Sequence, residues 1–456
     1  MKSALWVAMS LCALLISIFI DAAAQNLSSH SSSLPIAVRS GAFPGVGGDS
    51  AAYHVKRAGD GFESNQVTQL AELTASDAVE DDQFGISVAM SGNTIVVGAP
   101  FHPVQNSQQG PGAAYVFVKP LSGWGNLTQT AELTASDGQP FNQFGYSVAI
   151  DKNTIVVGAD VAAVGTNQAQ GAAYVFVKPP GGWTNMTETA KLTASDGSAN
   201  NQFGFSVSIS GNTVAVGAIG NPNGTYQGAG YVFVEPATGW ASMTQTAELA
   251  ASDAVLGDEF GFSASLSGNT AVFGVRGLTQ VSGSAYVFVE PAAGWSNMTQ
   301  TAKLTASDGS PGDGLGYSTS IAGRTVLVGS PYKTGTYRNQ GAGYVFVEPN
   351  SGWTNMTETA ELTSRLGQNG GLLGFSAFTT GNIVLLAAPG SVSNAVFAYV
   401  KPPNGWVSSS AFKARVTNFD KTSNFGYSVS MSGKVGVVGA PDENAQEGAA
   451  YVFGQQ

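Results

Sequence analysis

Thiols are almost missing from this sequence: its one cysteine, Cys12, lies in an apolar N-terminal run. With that run removed, the remaining chain has no disulfide, no thiolate metal site and no cysteine nucleophile, so its stability must come from packing. Charge is scarce as well, at 11% of residues against the usual quarter or so. Basic residues are the scarcer sign, 19 against 30 acidic for a net charge of −11. A diffuse negative field repels phosphate backbones and anionic lipid, which excludes nucleic acid and acidic membrane surfaces as natural partners. Histidine occurs only as His30, His54 and His102, which leaves few bases for a nucleophilic hydrolase. No helical period is sustained, and after Ile20 no stretch is apolar for long enough to cross a bilayer as a helix.

Apolar residues, at 43%, and glycine, at 59 residues, are abundant. That mix suits short strands joined by tight turns and is too apolar for a disordered chain. The N-terminus carries Lys2, an apolar run from Ala4 to Ile20, and Ala22-Ala23-Ala24 before Gln25. This is the layout of a cleaved signal peptide over residues 1–24, the alternative being a membrane anchor. Residues 25–65 are rich in Ser and Gly without a period and read as a flexible leader.

From residue 66 to 456 the chain repeats itself. Phe-Gly recurs at Phe84, Phe144, Phe203, Phe260 and Phe425, and Leu-Gly keeps the phase at Leu315 and Leu373, at spacings of 52 to 60 residues. Each copy holds four short pieces rich in Val, Tyr, Phe and Thr and bounded by Gly, Asn and Pro, as in Tyr146–Ile150, Thr154–Ala159, Ala172–Val177 and Thr189–Ala194. The second and third pieces are apolar on both faces, whereas the fourth alternates and suits an outer edge. Four-stranded units repeated radially describe an all-β, seven-bladed β-propeller of antiparallel blades. The repeats open on a fourth-type piece, Val67–Asp77, and end on a third-type piece, Ala449–Phe453. Pairing of these two would complete the seventh blade and close the ring. Phe of Phe-Gly is then a wedge between blades, and its Gly supplies close approach or positive φ.

The pattern FGxSV, VGAP, GxxYVF and LTASDG resembles the FG-GAP repeat family, known from the N-terminal propeller of integrin α-subunits, in the variety found in secreted microbial proteins. The resemblance spans residues 66–456 and implies extracellular binding or adhesion. Family members often carry an acidic calcium loop between the first and second strands. Here those connections are SGN, DKN, SGN, SGN, AGR, TGN and SGK, too short and too poor in oxygen ligands for Ca²⁺, so no metal and no cofactor is expected there.

Other candidates have bland readings. Pairs five residues apart, Asp77/Asp82, Asp137/Asn142, Asp196/Asn201, Asp253/Asp258 and Asp308/Asp313, read as side chains capping their own turn, with a hard cation as the alternative. Ser87, Ser147, Ser206, Ser263, Ser318, Ser376 and Ser428 faintly suggest a nucleophile motif, but lack its second Gly and a partner base, so they read as packing residues. Asn126, Asn185, Asn297 and Asn355 begin N-x-T beside the hairpin Trp, and Asn26 and Asn223 lie in further sequons. They read as turn residues inherited with the repeat, glycosylation being the alternative. Trp124, Trp183, Trp240, Trp295, Trp353 and Trp406 are expected to pack beneath the outer hairpins. What varies is the loop after each second strand, on the same end of the ring as the loops leading into each blade. There Phe101, His102, Tyr226, Arg276, Tyr332, Lys333, Tyr337 and Arg338 offer aromatic and basic groups on a rigid scaffold. The expectation is an exported, monomeric, non-enzymatic module binding an extracellular protein or glycan on this rim. A carbohydrate-active enzyme using rim carboxylates, or an envelope structural protein, stands as the alternative.

Overall fold

A computed structural model describes residues 67–103, 109–220, 227–277, 281–389, 394–418 and 423–455. The apolar N-terminal segment, the leader, Asn26, Asn223 and Tyr226 lie outside the described residues. The described strands form seven small sheets, one per repeat, and ring closure is the expected one. The strand Val67–Thr74 lies antiparallel to Ala449–Gln455, with Val67 opposite Gln455 and Leu73 opposite Ala450. It supplies the fourth strand of blade 7, whose other strands are Val429–Ser432, Val435–Ala440 and Ala449–Gln455. Among the described residues, no helix is long and apolar enough to cross a membrane.

Seven apolar clusters hold the blades together, and each spans a junction between neighbours. Phe144 of blade 2, for example, is buried with Val116, Ala131 and Leu133 of blade 1, and Phe84 of blade 1 with Val437, Ala450 and Val452 of blade 7. Phe84, Phe144, Phe203 and Phe260 are fully buried, and Leu315, Leu373 and Phe425 nearly so. Burial of one such ring contributes about 1.5–3 kcal/mol, so seven wedges are a large part of what keeps the ring shut. The glycine after the wedge needs both properties expected of it. Gly145 sits at φ 98°, and a Cβ there would lie 2.3 Å from the Ala113 carbonyl of blade 1.

The seven repeated serines have a defined job. Ser87 Oγ donates to the Gly145 carbonyl of the next blade at 2.8 Å, and the same bond passes from blade to blade around the hub. Ser428 completes the circuit by donating to the Gly85 carbonyl, again at 2.8 Å. Above this ring, the residue following Phe-Gly or Leu-Gly is aromatic in six blades. Tyr146, Phe205, Phe262, Tyr317, Phe375 and Tyr427 form a chain with successive ring centroids 4.8–5.1 Å apart. Ile86 takes the place in blade 1.

The outer edge differs from expectation. Rather than ending on the fourth strand, five of the blades gain a two-residue parallel strand from the following repeat, as where Leu127–Thr128 runs beside Leu73–Thr74. The N-x-T asparagines explain how. Asn126, Asn185, Asn297 and Asn355 each accept, through Oδ1, the backbone N–H of the neighbouring blade's fourth strand at 2.8–2.9 Å. Ser242 and Ser408 do the same in the two repeats that lack Asn. An exposed edge is a template for unwanted pairing, and this cover satisfies part of it. The hairpin tryptophans pack below, five of them buried and Trp124 half-buried.

Candidate binding face

The loop after each second strand is zipped to the loop leading into the next blade. Phe144 N–H donates to the Pro111 carbonyl at 2.8 Å, Phe203 to Gln170 at 2.9 Å and Leu373 to Gln340 at 3.0 Å. Variable and repeated loops therefore form one continuous face. Its lead-in turns are capped by the second residue of each pair. Asp82 Oδ2 accepts from Val79 N–H at 2.9 Å, Asn142 Oδ1 from Gln139 at 2.7 Å, Asp258 from Val255 and Asp313 from Ser310, both at 2.8 Å, and Asn201 from Ser198. The first residue of the pair departs from the expected cap. Asp137, Asp253 and Asp308 accept a hydrogen bond of 2.8–2.9 Å from the third-strand hydroxyls of Tyr174, Tyr286 and Tyr344, and Asp196 one of 3.2 Å from Tyr231.

Four blades set a counter-charge beside this aspartate, in two ways; in blade 3 Asp196 faces Glu248 instead, and among the described residues no ion pair is made to it. In blades 2 and 4 the cation comes from the fourth strand, Lys191 Nζ at 2.5 Å from Asp137 and Lys303 Nζ at 2.6 Å from Asp253. In blades 1 and 5 the fourth strand carries Glu132 and Glu361 instead, and the cation comes from the variable loop. Lys333 Nζ lies 3.0 Å from Asp308 and 3.3 Å from Asp313. His102, at the equivalent position, places Nδ1 2.8 Å from Asp82 and Nε2 3.5 Å from Asp77. Burial works against charging either side chain, yet the hydrogen bonds and charges of these carboxylates outweigh it, and both pKa values stand above their usual ranges. Burial likewise tends to lift Asp308, but its bonds to Lys333 and Tyr344 hold it below the usual carboxylate range.

The eight residues expected on the rim thus separate. His102 and Lys333 are buried and committed to carboxylates. Arg276 and Tyr332 come together near the hub. Arg276 stacks on Phe262 at 4.6 Å while pairing with Glu259 at 2.9 Å, and Tyr332 packs edge-on against Tyr317 at 5.8 Å. Phe101 is half-buried, and Tyr226 is outside the described residues. Tyr337 and Arg338 are exposed, on a loop held by Arg338 N–H to Asn369 Oδ1 at 3.0 Å and Gly370 N–H to the Arg338 carbonyl at 2.9 Å. Near the hub, Asp160 is 2% exposed, and burial pushes its carboxyl up to about 7 against its bonds to its own backbone and Gln202.

Sequence reasoning missed the apolar part of the face. Val79, Phe141, Val255, Leu256, Val281 and Leu366 are exposed there along with Tyr337. Phe141 stands out energetically. It holds φ 70° and remains 43% exposed. The residue before the capping Asp or Asn takes positive φ in each comparable turn, where it is Asp81, Asn200, Gly257 or Gly312. Those residue types tolerate the left-handed region, whereas a bulky aromatic there is strained. The available signal was this position, where one repeat places Phe among Asp, Asn and Gly.

Comparison with known families matches the FG-GAP repeat at residues 67–117, 127–176, 186–233, 243–288, 298–346 and 418–453, more than half of the chain. Comparison with curated proteins finds no match.

Proposed function

The chain belongs to the FG-GAP repeat family, and from that premise we propose that it is an exported, monomeric, non-catalytic module that captures an extracellular protein or glycan on its loop face. The observation that carries this reading is Phe141, whose ring is kept at positive φ and half in water. A residue that costs backbone strain and leaves its side chain exposed serves contact with another molecule better than it serves the fold. Exposed Val255, Leu256, Tyr337 and Arg338 on the same face supply the apolar, aromatic and guanidinium chemistry that binding hot spots favour. The enzyme alternative is disfavoured because Asp82, Asp258, Asp308 and Asp313 are each engaged in hydrogen bonds to their own scaffold. Export rests on the signal-like layout of residues 1–24.

The test is an array of extracellular proteins and glycans probed with the purified chain and with a Tyr337→Ala/Arg338→Ala variant. Saturable capture without turnover, lost in the variant while its unfolding transition is unchanged, is expected. Turnover of a polysaccharide, or capture indifferent to Phe141, Tyr337 and Arg338 alike, would overturn the assignment.

A further inference from the structure

We propose that blade 1 binds a divalent transition-metal ion, with Zn²⁺ the best match, through Asp77, His102 and Glu132. One ligand atom from each of the three lies within 4.8 Å of the others. His102 Nε2 and Asp77 Oδ2 are 3.5 Å apart, close to the separation of two ligands on a tetrahedral ion with bonds of about 2.0–2.2 Å. The other ring nitrogen, Nδ1, is held by Asp82 Oδ2 at 2.8 Å. That carboxylate–histidine arrangement fixes the tautomer with the Nε2 lone pair free to ligate. An imidazole in the set selects against Ca²⁺ and Mg²⁺, which take oxygen ligands, and favours ions of the zinc class.

Two independent features point to a ligand. The Tyr115 hydroxyl is fully buried and makes no hydrogen bond of ordinary geometry, although it lies close enough to Asp77 to interact with that carboxylate and also feels the charge of Glu132. Its counterparts Tyr174, Tyr286 and Tyr344 all bond their aspartates at 2.8–2.9 Å. Blade 5 provides the second. There the equivalent carboxylates Asp308 and Asp313 lie 3.0 and 3.3 Å from Lys333 Nζ, and Glu361 feels its charge, so in that blade the position holds a cation. Blade 1 offers an imidazole, which pairs with these carboxylates when protonated and can ligate through Nε2 once an ion displaces that proton, where blade 5 offers only a charge.

The three ligands come from three segments. Asp77 follows the closing strand Val67–Thr74, His102 stands on the loop after the second strand of blade 1, and Glu132 lies on its fourth strand, Ala131–Thr134. A bound ion ties the end of the closing strand to blade 1, adding a clamp at the seam where the ring shuts.

The experiment is calorimetry of the untagged, chelator-treated full chain with Zn²⁺, with Co²⁺ absorption as a report of geometry. One ion per chain is expected, together with a Co²⁺ spectrum of four-coordinate N/O type. His102→Lys copies blade 5 and should fold while binding none at this site. Lys333→His copies blade 1 and should raise the stoichiometry from one to two. Absence of Zn²⁺ heat in the wild-type chain, or the same stoichiometry in all three proteins, would overturn the proposal and leave His102 as a counter-ion like Lys333.

Discussion

Replacing Phe141 by Asn separates the fold from the proposed function, because the two consequences run in opposite directions. At φ 70° a residue other than Gly, Asn or Asp costs about 1–2 kcal/mol relative to ordinary backbone. Asn tolerates that region and stands at φ 66° in the equivalent turn, as Asn200. Against this relief, Phe141 loses the part of its surface that is covered. With 43% exposed, that part contributes about 1 kcal/mol, roughly half the value for a fully buried ring. The turn itself survives, since Phe141 N–H donates to the Gly110 carbonyl at 2.9 Å whatever side chain is present. Stability should therefore change by no more than about 1 kcal/mol, with the sign toward stabilisation. Binding should suffer far more: an aromatic anchor of about 2 kcal/mol corresponds to roughly 30-fold weaker capture. Urea unfolding followed by tryptophan fluorescence, beside titration against whatever the array identifies, measures both. A variant that loses about 3 kcal/mol or more of stability, or that binds as tightly as the parent, would refute the reasoning.

Leu73→Ala should destabilise by about 2–5 kcal/mol, as much as Leu192→Ala, because both leucines are fully buried fourth-strand residues at blade junctions. Denaturant unfolding of the two variants checks this, and a negligible effect at Leu73 would mean the closing strand is frayed. Asp160→Asn should flatten part of the pH dependence of stability. A folded-state value of about 7 against the usual 3.8 means that the folded chain keeps a proton that the unfolded chain releases. Stability from this group is therefore full below about pH 4, is lost as pH rises to about 7, and stays lost above that, by an order-of-magnitude figure of about 4 kcal/mol. Denaturant midpoints should agree for wild type and variant at pH 4 and favour the variant at pH 8; identical slopes would remove Asp160 from the account.

The ring was legible in the sequence because one contact set is written seven times. Phe84 and its copies mark the junctions, and the fourth-type strand at Val67 matches the third-type strand at Ala449. What escaped reading lies between repeats rather than within them. Ser87 finds its acceptor in the next blade and Asn126 its donor in the preceding one, and no local pattern announces a partner more than fifty residues away. His102 and Lys333 looked like exposed loop cations, but converging carboxylates turn them inward. The clue was present: loop cations stand two residues after Pro100 and Pro331 in blades whose fourth strand carries Glu132 or Glu361, whereas Lys191 and Lys303 serve blades 2 and 4. Phe141 was overlooked because its turn was read only for its caps, and strain at a single φ is a property of coordinates.

Thr68 and Gly454 face each other across the pairing that shuts the ring, and partners in antiparallel strands lie within the Cα range of a disulfide, about 4.4–6.8 Å. In a Cys12→Ser chain carrying Thr68→Cys and Gly454→Cys, mild oxidation of the folded protein should form one intramolecular bridge to completion and raise the denaturation midpoint. Two thiols that stay free, or that bridge only between molecules, would show that the first and last strands do not meet and that the closed propeller is wrong.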